Sequence, residues 1–260
     1  MIKKNLHWLA LAFLPVAVYA SEPVTSWLFN PVTPVAQDVR ETFKIMVGLT
    51  VPFLLLPQIL LAYAIWKFNE KRGHKPATFH ENVPLEIAWT VIPALVLVAI
   101  SIPAYSTLKK IEVPPKSDLV VEVIGHQFFW EYRLPRYDIG FANEPLVVPA
   151  EKIVTLNLTS VDVIHAWWVP SFGVKQDANP GRITHAWFKA QEGVYKGQCA
   201  ELCGPLHGEM WIDVKVVSDA EFEKWLEEKR SAAATAPAPA DSGAHSSLLL
   251  PEIESEVVNG

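Results

Sequence analysis

The sequence predicts a hairpin of two membrane-crossing helices followed by an all-β sandwich or barrel, then a short helix and a disordered, low-complexity tail. Three observations carry this reading. Two stretches, Ile45 to Trp66 and Ile87 to Leu108, contain no formal charge. From about Val113 the chain turns to short runs of Val, Ile, Thr and aromatic residues broken by Gly, Pro and Asn. After Ser218 the apolar residues recur at helical spacing behind a capping signature. Composition agrees: 50% hydrophobic and 19% charged residues exclude a disordered chain, and two cysteines in 260 residues exclude a disulfide-rich scaffold. A mean hydropathy of +0.19, concentrated in blocks, points to a membrane. The net charge of −6 lacks any basic stripe, which argues against nucleic acid and suits a cationic partner.

Residues 1–20 carry Lys3 and Lys4, an apolar stretch from Leu9 to Val18, and small residues at Val18-Tyr19-Ala20, the layout of a cleavable secretory signal. The stretch is shorter than the ~20 residues a span needs. No Cys follows Ala20 to take a lipid anchor. Residues 21–112 then hold the hairpin, with helices over about 43–67 and 86–109. At about 1.5 Å per residue each apolar stretch crosses the hydrocarbon layer. Pro52, Pro57, Pro93 and Pro103 lie inside them, a feature membrane helices tolerate. Lys67, Lys71, Arg72 and Lys75 outnumber Glu70 and Glu81 between the spans, which makes that connection cytoplasmic. Lys109, Lys110 and Lys116 weigh against the asymmetry, so the orientation rests on its agreement with the signal. Both mature termini and the β domain then face the periplasmic side of a bacterial-type inner membrane.

Residues 113–230 form the β domain with its terminal helix. Leu119 to Ile124, Phe128 to Leu134, Ile153 to Leu158, Ile183 to Phe188 and Trp211 to Val217 read as strands of an antiparallel sandwich or barrel. Ser218-Asp219-Ala220-Glu221 fits a capping box, and Phe222, Trp225 and Leu226 make one stripe of a helix running to about Arg230 and docking on the sandwich. Residues 231–260 are an Ala/Pro/Ser-rich tail that cannot bury enough apolar surface to order itself.

Both cysteines fall in Cys199-Ala200-Glu201-Leu202-Cys203-Gly204-Pro205-Leu206-His207-Gly208-Glu209-Met210, and His165 lies in a strand-like segment upstream. The cysteines alone also fit a disulfide, since an exported domain meets an oxidising compartment. His207 and Met210 at regular spacing, with Gly204 and Pro205 to shape a turn, favour a metal. Two thiolates, two imidazoles and a thioether are the soft and borderline donors that suit copper. Structural zinc seldom takes Met. A mononuclear blue-copper site needs one Cys, so the second is surplus. Two thiolates on one loop can each bridge two metals, with one His terminal to each, which makes a dinuclear copper site for electron transfer. Trp167, Trp168 and Trp211 are expected to bury the thiolates.

The loop Cys-x-Glu-x-Cys-x-x-x-His-x-x-Met, preceded by the run from His165 to Arg182, resembles subunit II of the haem-copper cytochrome c oxidases. Gly125 to Trp130 and Glu86 to Pro93 share the resemblance, which covers roughly residues 40 to 230 in family order. It implies a cupredoxin-like Greek-key sandwich outside the membrane that holds the dinuclear copper centre CuA. Cys199 and Cys203 would bridge two copper ions, His165 and His207 would cap them, and Met210 and the Glu201 carbonyl would be weak ligands. The Glu201 carboxylate would face subunit I, where the family holds a magnesium or manganese ion. Glu86 matches the family's carboxylate at the mouth of a proton pathway. The partners implied are subunit I, subunit III, membrane lipid and a cytochrome donor. The complex would reduce oxygen to water and translocate protons, with this chain as its electron relay.

Departures concern the donor. Phe128 stands where many members place the Trp that receives the electron, while Trp130 keeps the later Trp. Arg133 and Arg136 occupy a region often acidic, though Asp162 matches a docking acid. Steering by acids is therefore weaker, and either cytochrome c or a membrane-bound or less basic cytochrome fits. No Cys-x-x-Cys-His occurs, so this chain carries no c-type haem. His74, His80, His126 and His185 read as surface or structural histidines. A quinol oxidase subunit II would lack the copper ligands. A membrane-tethered copper-binding or copper-delivery protein is the alternative from another class, and it needs a labile site.

Overall fold

A computed structural model describes residues 30–73 and 78–235. The expected signal, His74 and the tail beyond residue 235 lie outside the described residues.

Helices α1 (Pro34–Lys67) and α2 (Val83–Glu112) pack against each other, and both are long and apolar enough to cross a membrane. Helix α1 starts well before the expected residue 43. Thr33 caps it by accepting the Ala36 N–H at 3.0 Å, and Pro34 follows at the first helical position, where a missing N–H costs nothing. The polar residues of that first stretch hid it from a search for apolar runs. The Thr33 hydroxyl also donates to the Phe172 carbonyl at 2.6 Å, and Val35 and Ala36 are buried. The first turn of α1 is thus set into the β domain. Gly173 makes room for it, with φ +68° and a virtual Cβ only 2.9 Å from the Ala36 Cα. Thr42 and Thr107 hydroxyls 2.6 Å apart and a Lys110–Asp38 ion pair at 3.0 Å join the helices near this end. Asn82 caps α2, accepting the Leu85 N–H at 3.2 Å.

The β domain is two five-stranded sheets. One has the order β3 (Ile139–Ala142), β2 (Phe129–Leu134), β1 (Leu119–His126), β5 (Val154–Ser160), β8 (Thr184–Phe188). The other has β4 (Leu146–Pro149), β10 (Trp211–Val217), β9 (Gly193–Cys199), β6 (His165–Val169), β7 (Val174–Ala178). The fully antiparallel expectation is corrected: β1 pairs with β5, and β4 with β10, in parallel. Each of these pairs is joined through intervening strands that visit the other sheet, and only such long connections let a strand return in the same direction. Five strands that apolar runs did not mark are short or polar, as in Val174-Lys175-Gln176-Asp177-Ala178.

Alternation along the strands places Trp167, Tyr132 and Phe188 between the sheets, fully buried, and Phe172, from the short turn Pro170–Phe172 between β6 and β7, is buried with them, its ring stacked on Phe188 at 4.5 Å. Helix α3 (Asp219–Thr235) closes one side. Its capping box is realised, Ser218 N–H reaching the Glu221 carboxylate at 3.2 Å and Ser218 Oγ accepting the Glu221 N–H at 3.4 Å. Phe222 and Leu226 are buried, and Trp225 meets the Phe141 ring edge-on at 5.5 Å. The helix outruns the expected Arg230 because Ser231-Ala232-Ala233-Ala234 favours helix and the first proline comes only at 237. The Trp187 indole N–H, on β8, donates to the Lys110 and Ile111 carbonyls at 3.2 and 3.1 Å, a second tie between sandwich and hairpin.

Candidate metal centre

Two strands of one sheet bring the site together. Trp167 of β6 pairs with Cys199 of β9, and His165 lies two residues before Trp167, so by the period of two all three point inward. The loop after Cys199 is pinned at both ends. Cys199 N–H donates to the Met210 carbonyl at 2.9 Å, and Ala200 N–H to the Ala166 carbonyl at 2.9 Å. Midway, the Gln127 amide donates to the Cys203 carbonyl at 2.5 Å. Gly204 has φ +138°, and a Cβ there would meet the Phe128 ring at 3.0 Å, so only glycine lets that ring lie on the loop.

The donor atoms converge. Cys199 Sγ lies 4.0 Å from Cys203 Sγ and 3.9 Å from His165 Nδ1, and Cys203 Sγ lies 3.5 Å from His207 Nδ1 and 3.9 Å from Met210 Sδ. The Glu201 carbonyl oxygen is 3.3 Å from Cys199 Sγ. His165, Cys199, Cys203 and Met210 are buried. Both thiols are free, and a disulfide would need about 2.05 Å between the sulfurs. Each sulfur therefore has its own imidazole nitrogen and its own weak donor. At metal–sulfur bonds of about 2.3 Å, one ion can touch both sulfurs across a 4.0 Å separation. The set is soft to borderline throughout and fits copper.

Electrostatics divides the two thiols. Burial alone would raise Cys199, but hydrogen bonds from His165, the Ala166 and Glu201 backbone and His207 outweigh it and hold the thiol at about 6. Cys203 is pushed up to about 11 by burial and by the negative charge of Cys199. His165 is raised: burial opposes its charge, while Cys199 and Asp162 favour it more strongly. Asp162 accepts from the Gln127 N–H at 2.7 Å and the Val163 N–H at 2.6 Å. It lies at about 2, since burial, which would raise it, loses to the hydrogen bonds from His165, Gln127, Val163 and Ser160.

The structure brings together His165, Cys199, Cys203, His207, Met210 and the Glu201 carbonyl. The Glu201 side chain is exposed. Glu86 lies apart, on the first turn of α2, where its carboxylate accepts the Asn82 N–H at 3.3 Å. Trp130 is 2% exposed and sets its edge on the His165 ring at 5.9 Å; Phe128 is half-buried. Trp167 is buried and Trp168 half-buried, but Trp211 is 62% exposed, which corrects its expected shielding role. It opens β10 on the outward side of the pleat, whereas Ile212 points inward. Sequence reasoning missed Gly125, whose missing Cβ leaves room for the His165 ring; a Cβ there would sit 2.8 Å from His165 Cδ2. It also missed the hydrogen bond that the His165 imidazole donates to Asp162, which the spacing of three could have suggested. His126 pairs with Glu131 at 2.9 Å and His185 with Asn157 at 2.9 Å, as structural histidines do.

Residues 137–217 match the sequence family described as cytochrome C oxidase subunit II, periplasmic domain, and residues 22–107 match its transmembrane domain. The chain is 36% identical over 241 residues to cytochrome c oxidase subunit 2 of Cereibacter sphaeroides, covering 78% of this chain and 80% of the relative. It is 36% identical over 261 residues to the probable cytochrome c oxidase subunit 2 of Rickettsia conorii, covering 91% of this chain and 82% of the relative. Among solved structures, the periplasmic domain of subunit II of cytochrome oxidase from Bradyrhizobium japonicum is 38% identical, with 46% of this chain and 99% of that chain covered and a TM-score of 0.45.

Proposed function

The chain belongs to the cytochrome c oxidase subunit II family, membrane subunits of a haem-copper terminal oxidase, and from that premise we propose that it takes electrons from a cytochrome at a dinuclear copper centre and hands them to subunit I. The observation that carries this reading is the division of the donors: two sulfurs 4.0 Å apart, each with its own imidazole. Cys199 and Cys203 would hold the ions jointly, His165 and His207 singly, and Met210 and the Glu201 carbonyl weakly. When bound, the copper pair supplies a one-electron store that changes its bonds little on reduction.

The protein's own residues do the rest. The pinned loop fixes both sulfurs before metal arrives, which lowers the rearrangement that accompanies each electron. Asp162 and Gly125 fix the His165 ring. The Trp167 wall excludes water. Glu201, exposed at the loop surface, is free to face subunit I and a magnesium or manganese ion there. Glu86, beside Asn82 at the start of α2, would pass protons inward from the cytoplasm. The β domain, roughly residues 113 to 235, would stand on the periplasmic side, with residues 1–20 as the export signal. Burial of the ligands weighs against a copper-delivery role, which requires donors open to exchange.

The test is Cys199→Ser in the assembled oxidase. Electron flow from reduced cytochrome c is expected to fall by at least about a hundredfold while the haem spectra of subunit I persist. An unchanged rate refutes the assignment.

A further inference from the structure

We propose that Trp211 is the contact at which the electron donor, a haem protein with an apolar docking face, meets this chain and passes its electron; the inference rests on the redox reading of the cysteine loop given above. Trp211 directly follows the buried Met210, and its indole is 62% exposed. The other aromatic residues near the loop are less available, Trp130 being 2% exposed and Phe128 half-buried on Gly204.

Single exposed apolar side chains are ordinary, but this one walls a recess of about 150 Å³ that is also lined by Phe128, Trp130, Glu144, Glu209 and Asp213. Leu202 and Leu206, on the loop that ends at Trp211, are 79% and 52% exposed. An exposed indole is the side chain most enriched at interface centres, and the two exposed leucines of the same loop add apolar surface to this end of the domain.

Connectivity singles out the same residue. The peptide unit joining Met210 to Trp211 carries the carbonyl that accepts the Cys199 N–H at 2.9 Å. From the indole to Cys199 Sγ the path runs through covalent bonds and one hydrogen bond. From the Phe128 ring the bonded route is longer, running back through the Gln127 backbone and the whole of its side chain before the hydrogen bond to the Cys203 carbonyl, and the direct route crosses a van der Waals gap to Gly204.

Charge describes the donor. At the rim, Glu144 is paired with Lys229 at 2.6 Å and Asp213 faces Lys196 at 3.9 Å, while Glu209 has no ion pair among the described residues. The rim is close to neutral and slightly negative, which suits a donor face that is apolar with few cations and an association that salt weakens little. Only an electron is exchanged: the donor's haem iron goes from ferrous to ferric, the cysteine-held centre is reduced by one, and no proton or atom moves.

The test uses the full chain in the purified oxidase, with soluble cytochrome c as the probe. Trp211→Ala is expected to weaken binding of oxidised cytochrome c, measured by calorimetry, and to slow electron uptake from the reduced form, each by about tenfold. Trp211→Phe should recover most of both. Uptake from the small reductant hexaammineruthenium(II), which needs no docking face, should stay within about twofold. The proposal is overturned if Trp211→Ala leaves binding and rate within about twofold, if Phe128→Leu costs more, or if ruthenium uptake falls equally. Absence of a dinuclear copper spectrum in the unaltered protein would refute the redox reading instead, and the binding measurement would still judge the docking role.

Discussion

The Asp162 carboxylate lies 2.8 Å from Nε2 of His165, on the side of the ring away from the Nδ1 that faces Cys199 at 3.9 Å. One imidazole thus has its outer nitrogen committed to a carboxylate and its inner nitrogen free for a metal. The carboxylate is itself held by two backbone N–H groups and Ser160, so a matching acid that the sequence offers as a docking charge is built in as an orienting group.

Asp162→Asn should therefore lower copper affinity about 10–100-fold, measured by competition with a chelator, with little change in donor binding. The reverse pattern, intact affinity with weakened donor binding, would make it a docking acid.

With Cys199 at about 6 and Cys203 at about 11, the metal-free loop at neutral pH holds one thiolate and one thiol. A raised thiol must give up its proton to bind, so affinity rises as pH rises toward the Cys203 value. Each proton released adds about tenfold per pH unit: that of Cys203 throughout this range, and that of His165, itself raised by Cys199 and Asp162, wherever the imidazole is still charged. Below about 6 the Cys199 proton adds to the slope. Pulse loading in weakly buffered solution reads the protons directly, and a pH-independent affinity would contradict the division of charge.

Gly125→Ala places a methyl where His165 now lies, 2.8 Å from Cδ2. Overpacking of this kind costs about 1–3 kcal/mol. The variant should stay folded by circular dichroism while losing most of its copper. Full metal retention would show that the ring has room to retreat.

Leu226 is fully buried where α3 meets the sandwich. Leu226→Ala should cost about 2–5 kcal/mol in denaturant unfolding, and a loss below about 1 kcal/mol would mean that α3 contributes little to the fold.

Legibility followed the physics of each element. The apolar cores of α1 and α2 were plain because lipid demands uninterrupted hydrophobic length. The start of α1 was not, because Thr33 and Pro34 act through a cap and a tertiary contact with Phe172 rather than through hydropathy. Strands such as β7 and β9, with polar residues on their outward faces, were hidden for the same reason, and parallel pairing of β1 with β5 is a property of topology that no local pattern encodes. The cysteine loop was legible because five donors fall within one short segment and His165. What orients them was not, since Gly125 and Gln127 come from the opposite sheet and its end, far away in sequence. Trp211 was misplaced because strand phase, not residue type, decides which side of the pleat it takes.

The central claim is that two sulfurs share two metal ions. Copper analysis with electron paramagnetic resonance on the full chain purified in detergent tests it most directly. The account predicts two coppers per chain and, in the oxidised form, one unpaired electron spread equally over both nuclei, which gives a seven-line hyperfine pattern. A single copper with a four-line pattern, or no bound copper at all, would contradict it.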